Sequence, residues 1–145
     1  MTSRKKIIVK QVPIEEVVKV NKTIKEFEPY KKEYFEKNVL KLVIVAYVGG
    51  QPAGYIVGYD KFNDGSFYCW MAGVNPKFRR MGVMKALMSY QEKWAKKNGY
   101  NKIRIKTRNS RREMLSYLIK YGFYIVGLTE YPDVKDNKIL FERSI

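Results

Sequence analysis

Arg79, Arg80 and Gly82 stand at a junction whose residue types suit the capture of an anion. They belong to Val74-Asn75-Pro76-Lys77-Phe78-Arg79-Arg80-Met81-Gly82-Val83-Met84, between a run with strand character and a run with helix character. Upstream, Ser66-Phe67-Tyr68-Cys69-Trp70-Met71-Ala72-Gly73-Val74 is aromatic-rich and apolar, as a buried strand is. Downstream, Met84, Leu87, Met88, Gln91, Trp94 and Ala95 recur at the three- and four-residue spacing of an amphipathic helix. A helix start ordinarily collects Asp or Glu and a Ser, Thr, Asp or Asn cap. This one carries Arg79, Arg80 and Lys85 with no acid, and Gly82 leaves the backbone open to close approach. Free amides, the helix dipole and two guanidinium groups at one place call for an anion, and phosphate is the best match.

The segment resembles the acetyl-CoA-binding signature of the GCN5-related N-acetyltransferases (GNAT family), Q/R-x-x-G-x-G/A after a strand ending in V-x-P. Val74, Pro76, Arg79 and Gly82 fall in register, and the final small residue is replaced by Met84. The resemblance implies that Met71, Ala72, Gly73 and Val74 pair with the pantetheine arm of acetyl-CoA, in a gap between two splayed parallel strands. It implies further that Arg79, Arg80, Met81, Gly82, Val83 and Met84 cradle the pyrophosphate. A second segment, Asn109-Ser110-Arg111-Arg112-Glu113 through Tyr121-Gly122-Phe123, resembles the region in which the family contacts the cofactor with an Asn and ends with Gly-Phe. Asn109 is the matching residue type, set slightly early. Where the family often places a Tyr as general acid, this chain has Leu118, with Tyr117 beside it. Tyr68 and Trp70 stand where many relatives hold a Glu as general base. Tyr117 and Tyr68 are therefore the candidate catalytic residues. Asp60, Asp64, Glu26, Glu28, Glu33 and Glu36 are expected to be solvated surface carboxylates.

These residues need elements to hold them. Residues 7–12 read as a strand, and Pro13 opens a helix whose apolar face is Val17, Val18, Ile24 and Phe27. Pro29 interrupts it, and Tyr30, Tyr34 and Phe35 mark a second short helix. Residues 42–48, the Gly49-Gly50 turn and residues 53–59 make a hairpin. After the strand at 66–74 and its helix, Asn98-Gly99 ends the helix and residues 102–107 form a half-exposed strand. Ser110 and Glu113 have capping-box spacing at the next helix start. Residues 123–128 and 138–142 close the order as strands. That order, like the motif, resembles the acetyltransferase fold: a mixed α/β domain over residues 1–145, with a central sheet of about seven strands and about four helices.

Composition bounds the remaining choices. At 145 residues and 46% hydrophobic content, the chain can bury one good core. It contains no His and one cysteine, so the usual zinc sites, His-based triads and an internal disulfide are excluded, and no metal is expected. Cys69 reads as a packed thiol. The longest apolar runs are far short of the roughly 18 residues of a membrane span. A reducing, cytoplasmic setting without membrane contact is expected. Net charge is +15, spread along the chain and densest from 104 to 112. Two functions remain open. One is an acyl-CoA-dependent N-acyltransferase moving acetyl from acetyl-CoA directly to a primary amine of a small molecule or protein. The other is a binding module on the same fold for nucleic acid or an acidic protein. A cationic protein repels cationic acceptors, so an amino acid or an acidic peptide suits it better than a polyamine.

Overall fold

Two apolar layers form because the strands alternate their side chains between the two faces of one sheet. The computed structural model describes residues 6–145, so the first five residues of the expected domain lie outside it. The strands are β1 (Ile7–Gln11), β2 (Leu42–Val48), β3 (Gln51–Tyr59), β4 (Ser66–Val74), β5 (Lys102–Arg108), β6 (Tyr124–Thr129) and β7 (Lys138–Ser144). They form a seven-stranded sheet in the order β1-β2-β3-β4-β5-β7-β6. Four α-helices accompany them: α1 (Ile14–Asn21), α2 (Lys32–Glu36), α3 (Val83–Lys97) and α4 (Arg112–Lys120). The mixed α/β architecture is the one expected.

Every pairing is antiparallel except β4 with β5, which the α3 crossover makes parallel. One core lies on the face covered by α3 and α4. It includes Ile44, Ile56, Phe67, Cys69, Leu87, Ile103, Ile105, Leu118 and Phe141. The other lies under α1 and α2 and includes Val17, Val20, Phe35, Val45, Tyr55 and Val57. Asn21 is fully buried there, donating to the Tyr55 hydroxyl at 3.0 Å and accepting from the Tyr30 N–H at 3.1 Å. Those bonds satisfy a polar group that would otherwise cost about 1–3 kcal/mol to bury. Cys69 is packed as expected, and burial pushes its thiol up to about 12.

Three local readings need correction. The first helix ends at Asn21, so Ile24 and Phe27 reach the core from a loop rather than from a continuing helix. The α4 start is not a capping box: the helix begins at Arg112 and has no side-chain cap. The last strands are displaced, with β6 starting at Tyr124 and β7 running on to Ser144.

β4 carries the feature that shapes the site. Val57 faces Met71 while Gly58 faces Cys69, so Trp70 is an extra residue, a β-bulge. Before it, Phe67 and Cys69 point to the α3 face; after it, Ala72 and Val74 do. Trp70 and Met71 both turn to the α1 face. Gly58, opposite the bulge, has no room for a side chain: a Cβ there would lie 2.5 Å from the Phe67 ring and 2.7 Å from the Tyr68 carbonyl oxygen. Replacing Gly58 with Ala is expected to cost about 1–3 kcal/mol of unfolding free energy, since backbone cannot yield as a side-chain tip can. Urea denaturation of the variant beside the parent protein measures it.

Candidate acyl-CoA site

β4 and β5 share only a short ladder, from Ser66 opposite Lys102 to Cys69 opposite Ile105. Past that point β4 stays with β3 as far as Val74 opposite Gly54, and β5 stays with β7 as far as Arg108 opposite Lys138. The two strands therefore part at the Trp70 bulge and leave a gap in the middle of the sheet. Along that gap the β4 residues Met71, Ala72, Gly73 and Val74 have one backbone edge with no strand beside it. Such an edge takes an extended ligand as an added strand.

The gap leads to the start of α3. Asn75 caps a short 3-10 turn (Pro76–Phe78) by accepting from the Lys77 N–H at 3.0 Å. The backbone then adopts left-handed geometry twice, at Arg80 (φ 64°) and Gly82 (φ 84°), before the helix begins at Val83. No side chain caps the helix, and its first turn holds no acid. Among the described residues, the amides of 80–85 meet no protein acceptor; Ala86 is the first to do so, at 3.0 Å from the Gly82 carbonyl. This row of free donors lies at the positive end of a fifteen-residue helix, an arrangement of the kind that can receive an anion. Gly82 is needed for its φ rather than for space, because the nearest atom to a Cβ there is Ile7 Cδ1 at 4.0 Å. Met84 is half-buried and packs against the α3-side core. Val83 is buried beside it, while Met81 is exposed. α4 also lacks a cap, so an uncapped start does not by itself set α3 apart. The difference is the paired left-handed residues and the absence of acid, where α4 has Glu113.

The guanidinium groups at the gap grip a protein partner. Arg79 pairs with Glu26 in the α1–α2 loop at 3.1 Å, and its hydrogen bond holds the Glu26 carboxyl below its ordinary value. Arg111, from the loop after β5, donates to the Glu26 carbonyl at 2.6 Å and lies 4.8 Å over the Phe27 ring. The loop so held crosses β4 at Gly73, where a Cβ would come within 2.5 Å of Ile24 and 2.6 Å of Phe27. One acidic residue thus bridges the two banks of the gap. Sequence reading treated Glu26 as a solvated carboxylate, and no local spacing links it to Arg79 or Arg111.

The other candidates fall in separate places. Tyr117 is on the α3–α4 face, stacked on Tyr121 at 4.3 Å and lining a small cleft with Lys85, Met88 and Glu92. Burial raises its phenol pKa well above the ordinary value, and the stacked Tyr121 adds to the rise. Tyr68 is on the opposite face, within the paired part of β4, its ring set edge-on to Tyr59 and Phe62. Burial raises its phenol pKa as well. Asn109 is at neither place: its side chain donates to the Val134 carbonyl at 3.2 Å and accepts from Arg112 at 3.3 Å, tying the end of β5 to the β6–β7 loop. Asp64 accepts from the Ser66 N–H and hydroxyl, and Asp60 accepts from the Asn63 N–H. Both carboxylates hold the β3–β4 turn.

Known proteins share this fold. Ard1 from Thermoplasma volcanium is similar in structure over 96% of this chain and 97% of its own, at 22% identity and a TM-score of 0.80. The ribosomal-protein-S18-alanine N-acetyltransferase from Escherichia coli is similar over 97% of this chain and 94% of its own, at 15% identity and a TM-score of 0.82. A GNAT family acetyltransferase from Elizabethkingia anophelis with acetyl-CoA bound is similar over 96% and 98%, at 19% identity and a TM-score of 0.74. These likenesses establish the fold. The sequence model of the acetyltransferase (GNAT) family matches residues 14–123, and with that match the chain belongs to the GNAT acetyltransferase family.

Proposed function

We propose that this protein transfers an acetyl group from acetyl-CoA directly to a primary amine. The observation that carries the reading is the gap opened by the Trp70 bulge, which runs into the free amides of 80–85. A ligand with an extended amide-bearing arm and a pyrophosphate matches both parts, and acetyl-CoA supplies an acetyl group activated as a thioester. Met71, Ala72, Gly73 and Val74 would line the arm; Arg80, Met81, Gly82, Val83 and Met84 would receive the phosphates. Charge-assisted hydrogen bonds of this kind contribute about 1.5–3 kcal/mol each, so a few account for micromolar affinity, about 8 kcal/mol. Arg79 would then hold the α1–α2 loop through Glu26, with the phosphates left to the amides. Asn109 would act by fixing the β5–α4 turn.

In the transfer, the neutral amine nitrogen forms its bond to the acetyl carbon as the C–S bond breaks, the nitrogen gives up one proton to water, and the departing thiolate takes up a proton. A free backbone N–H at the β4 edge would polarise the carbonyl. Tyr117 is the better proton donor of the two tyrosines. It packs on the α3-side core and lines an open cleft, whereas Tyr68 is buried within the ladder. A raised phenol pKa keeps Tyr117 protonated at neutral pH, as a donor requires.

Two outcomes follow. Gly82→Val, which forces a branched side chain into left-handed backbone, is expected to weaken acetyl-CoA binding by about tenfold or more and to cost about 1–3 kcal/mol of stability, leaving the protein folded. Calorimetry at moderately high salt reads this, with ADP as the control for simple phosphate attraction. Tyr117→Phe is expected to lower kcat by about tenfold or more, by a constant factor from about pH 6 to 9, because the phenol does not ionise there. Tyr68→Phe is expected to leave kcat nearly unchanged, and steady-state rates across that pH range compare the two.

A further inference from the structure

We propose that the acceptor carries an anionic group beside its amine, a carboxylate or a phosphate, held by Lys61, Lys106 and Lys138 where β4 and β5 part. This deepens the acetyl-transfer reading and rests on it.

The β5 side chains Lys102, Arg104, Lys106 and Arg108 share one face, since Ile103 and Ile105 are buried on the other. It is the face on which Trp70, Met71 and the α1–α2 loop lie, opposite the α3 and α4 side. Along it the charge balance changes where the strands separate. Lys102 is paired with Glu142 at 3.6 Å, and Arg104 with Asp64 at 3.1 Å and Glu142 at 3.0 Å. Lys106 is the first β5 residue past the shared ladder, and among the described residues it has no carboxylate within ion-pair reach. The same holds for Lys138, which lies diagonally across β7 from it, two residues before its partner Leu140. Lys61 completes the group from the β3–β4 turn, unpaired, with its ammonium 4.7 Å over the ring of Tyr68.

These lysines are positioned rather than scattered. The Tyr68 ring under Lys61 is itself fixed by Phe62 and Tyr59, and Lys138 lies 5.8 Å over the Tyr131 ring. The register sets Tyr68, under Lys61, opposite Arg104, two residues from Lys106 on the same face, and partial burial followed by the charges of Lys106 and Lys138 lowers the Lys61 pKa. Uncompensated like charges held over aromatic rings are relieved by a bound anion. Placed at the mouth of the gap, that anion would hold its own amine over the β4 edge. A single-stranded nucleic acid would need open rings for its bases to stack on. Here Tyr34 is stacked on Tyr30 at 3.7 Å and Tyr68 is buried, which leaves Tyr131 as the exposed ring beside these lysines, and one open ring favours a small acceptor over a run of stacked bases.

The test uses amines matched in size with the acid present or masked: β-alanine against its amide, and phosphoethanolamine against ethanolamine. Each is titrated into the protein with and without saturating coenzyme A, and each is offered as acceptor with acetyl-CoA. The acid of one pair is expected to bind about tenfold tighter than its partner and to show a correspondingly lower KM. The doubly substituted Lys106→Gln, Lys138→Gln protein is expected to lose that preference while kcat for the neutral amine stays the same. The Lys→Arg pair is expected to retain the preference. Which pair responds separates carboxylate from phosphate. Equal binding of acid and masked acid, or a preference unchanged by the Gln substitutions, overturns the proposal. So does tight binding of a single-stranded oligonucleotide through these lysines with no preference among the small amines. Failure of coenzyme A to bind strikes the acetyl-transfer reading instead, and the titrations without it still judge the lysines.

Discussion

β4 cannot follow both of its neighbours, and the extra residue at Trp70 decides which one it keeps. At Tyr68 and Cys69 it is paired with β3 and β5 alike; beyond the bulge it is paired with β3 alone. A bulge bends its strand and strengthens the local twist, and here that bend opens a gap in the middle of a sheet. An open edge inside a sheet leaves backbone donors and acceptors without partners, a costly state unless water or a ligand supplies them. Gly58 and Gly73 make the arrangement sterically feasible. Gly58 lets β3 pass the displaced Phe67 ring, and Gly73 lets Ile24 and Phe27 come down onto β4.

The gap's width has to be held, since few hydrogen bonds cross it. Arg79 on the β4 side and Arg111 on the β5 side both reach Glu26, one to its carboxylate and one to its carbonyl. The pair of contacts ties the two banks through the α1–α2 loop and walls the α1 side of the gap. An exposed ion pair of this kind contributes little to global stability, about 0–1 kcal/mol, so its value is in position rather than energy. The α3 side is set differently, by Val83 and Leu87 packed closely on Gly54, which fixes the helix start at the end of the gap.

Much of this was legible in the sequence. The strand–turn–helix around Gly82 was readable because a continuous apolar run gives way there to apolar residues spaced three and four apart, and because the helix start lacked acid. The overall order of strands and helices followed from the same periodicities. The bulge left a trace that was not taken up: Phe67, Cys69, Ala72 and Val74 share a face, and the step from 69 to 72 is three rather than two. Other features had no local trace. The bridge from Glu26 to Arg79 and Arg111 joins residues more than fifty positions apart in sequence. The grouping of Lys61, Lys106 and Lys138 depends on register across three strands and a turn, which a diffuse excess of lysine conceals. The expected cap at Ser110 shows the opposite error, a correct spacing whose residue lies outside the helix by one position.

The claim on which the account depends is that the β4 edge and the α3 amides form one continuous binding surface. Backbone amide NMR of the labelled protein, titrated with acetyl-CoA at moderately high salt, tests it most directly. The account predicts that the largest shift changes fall on residues 71–74 and 80–85 together, with ADP moving only the second group. Changes confined to the lysine-bearing face of β5 and β7, or an absence of change along 71–74, would contradict it.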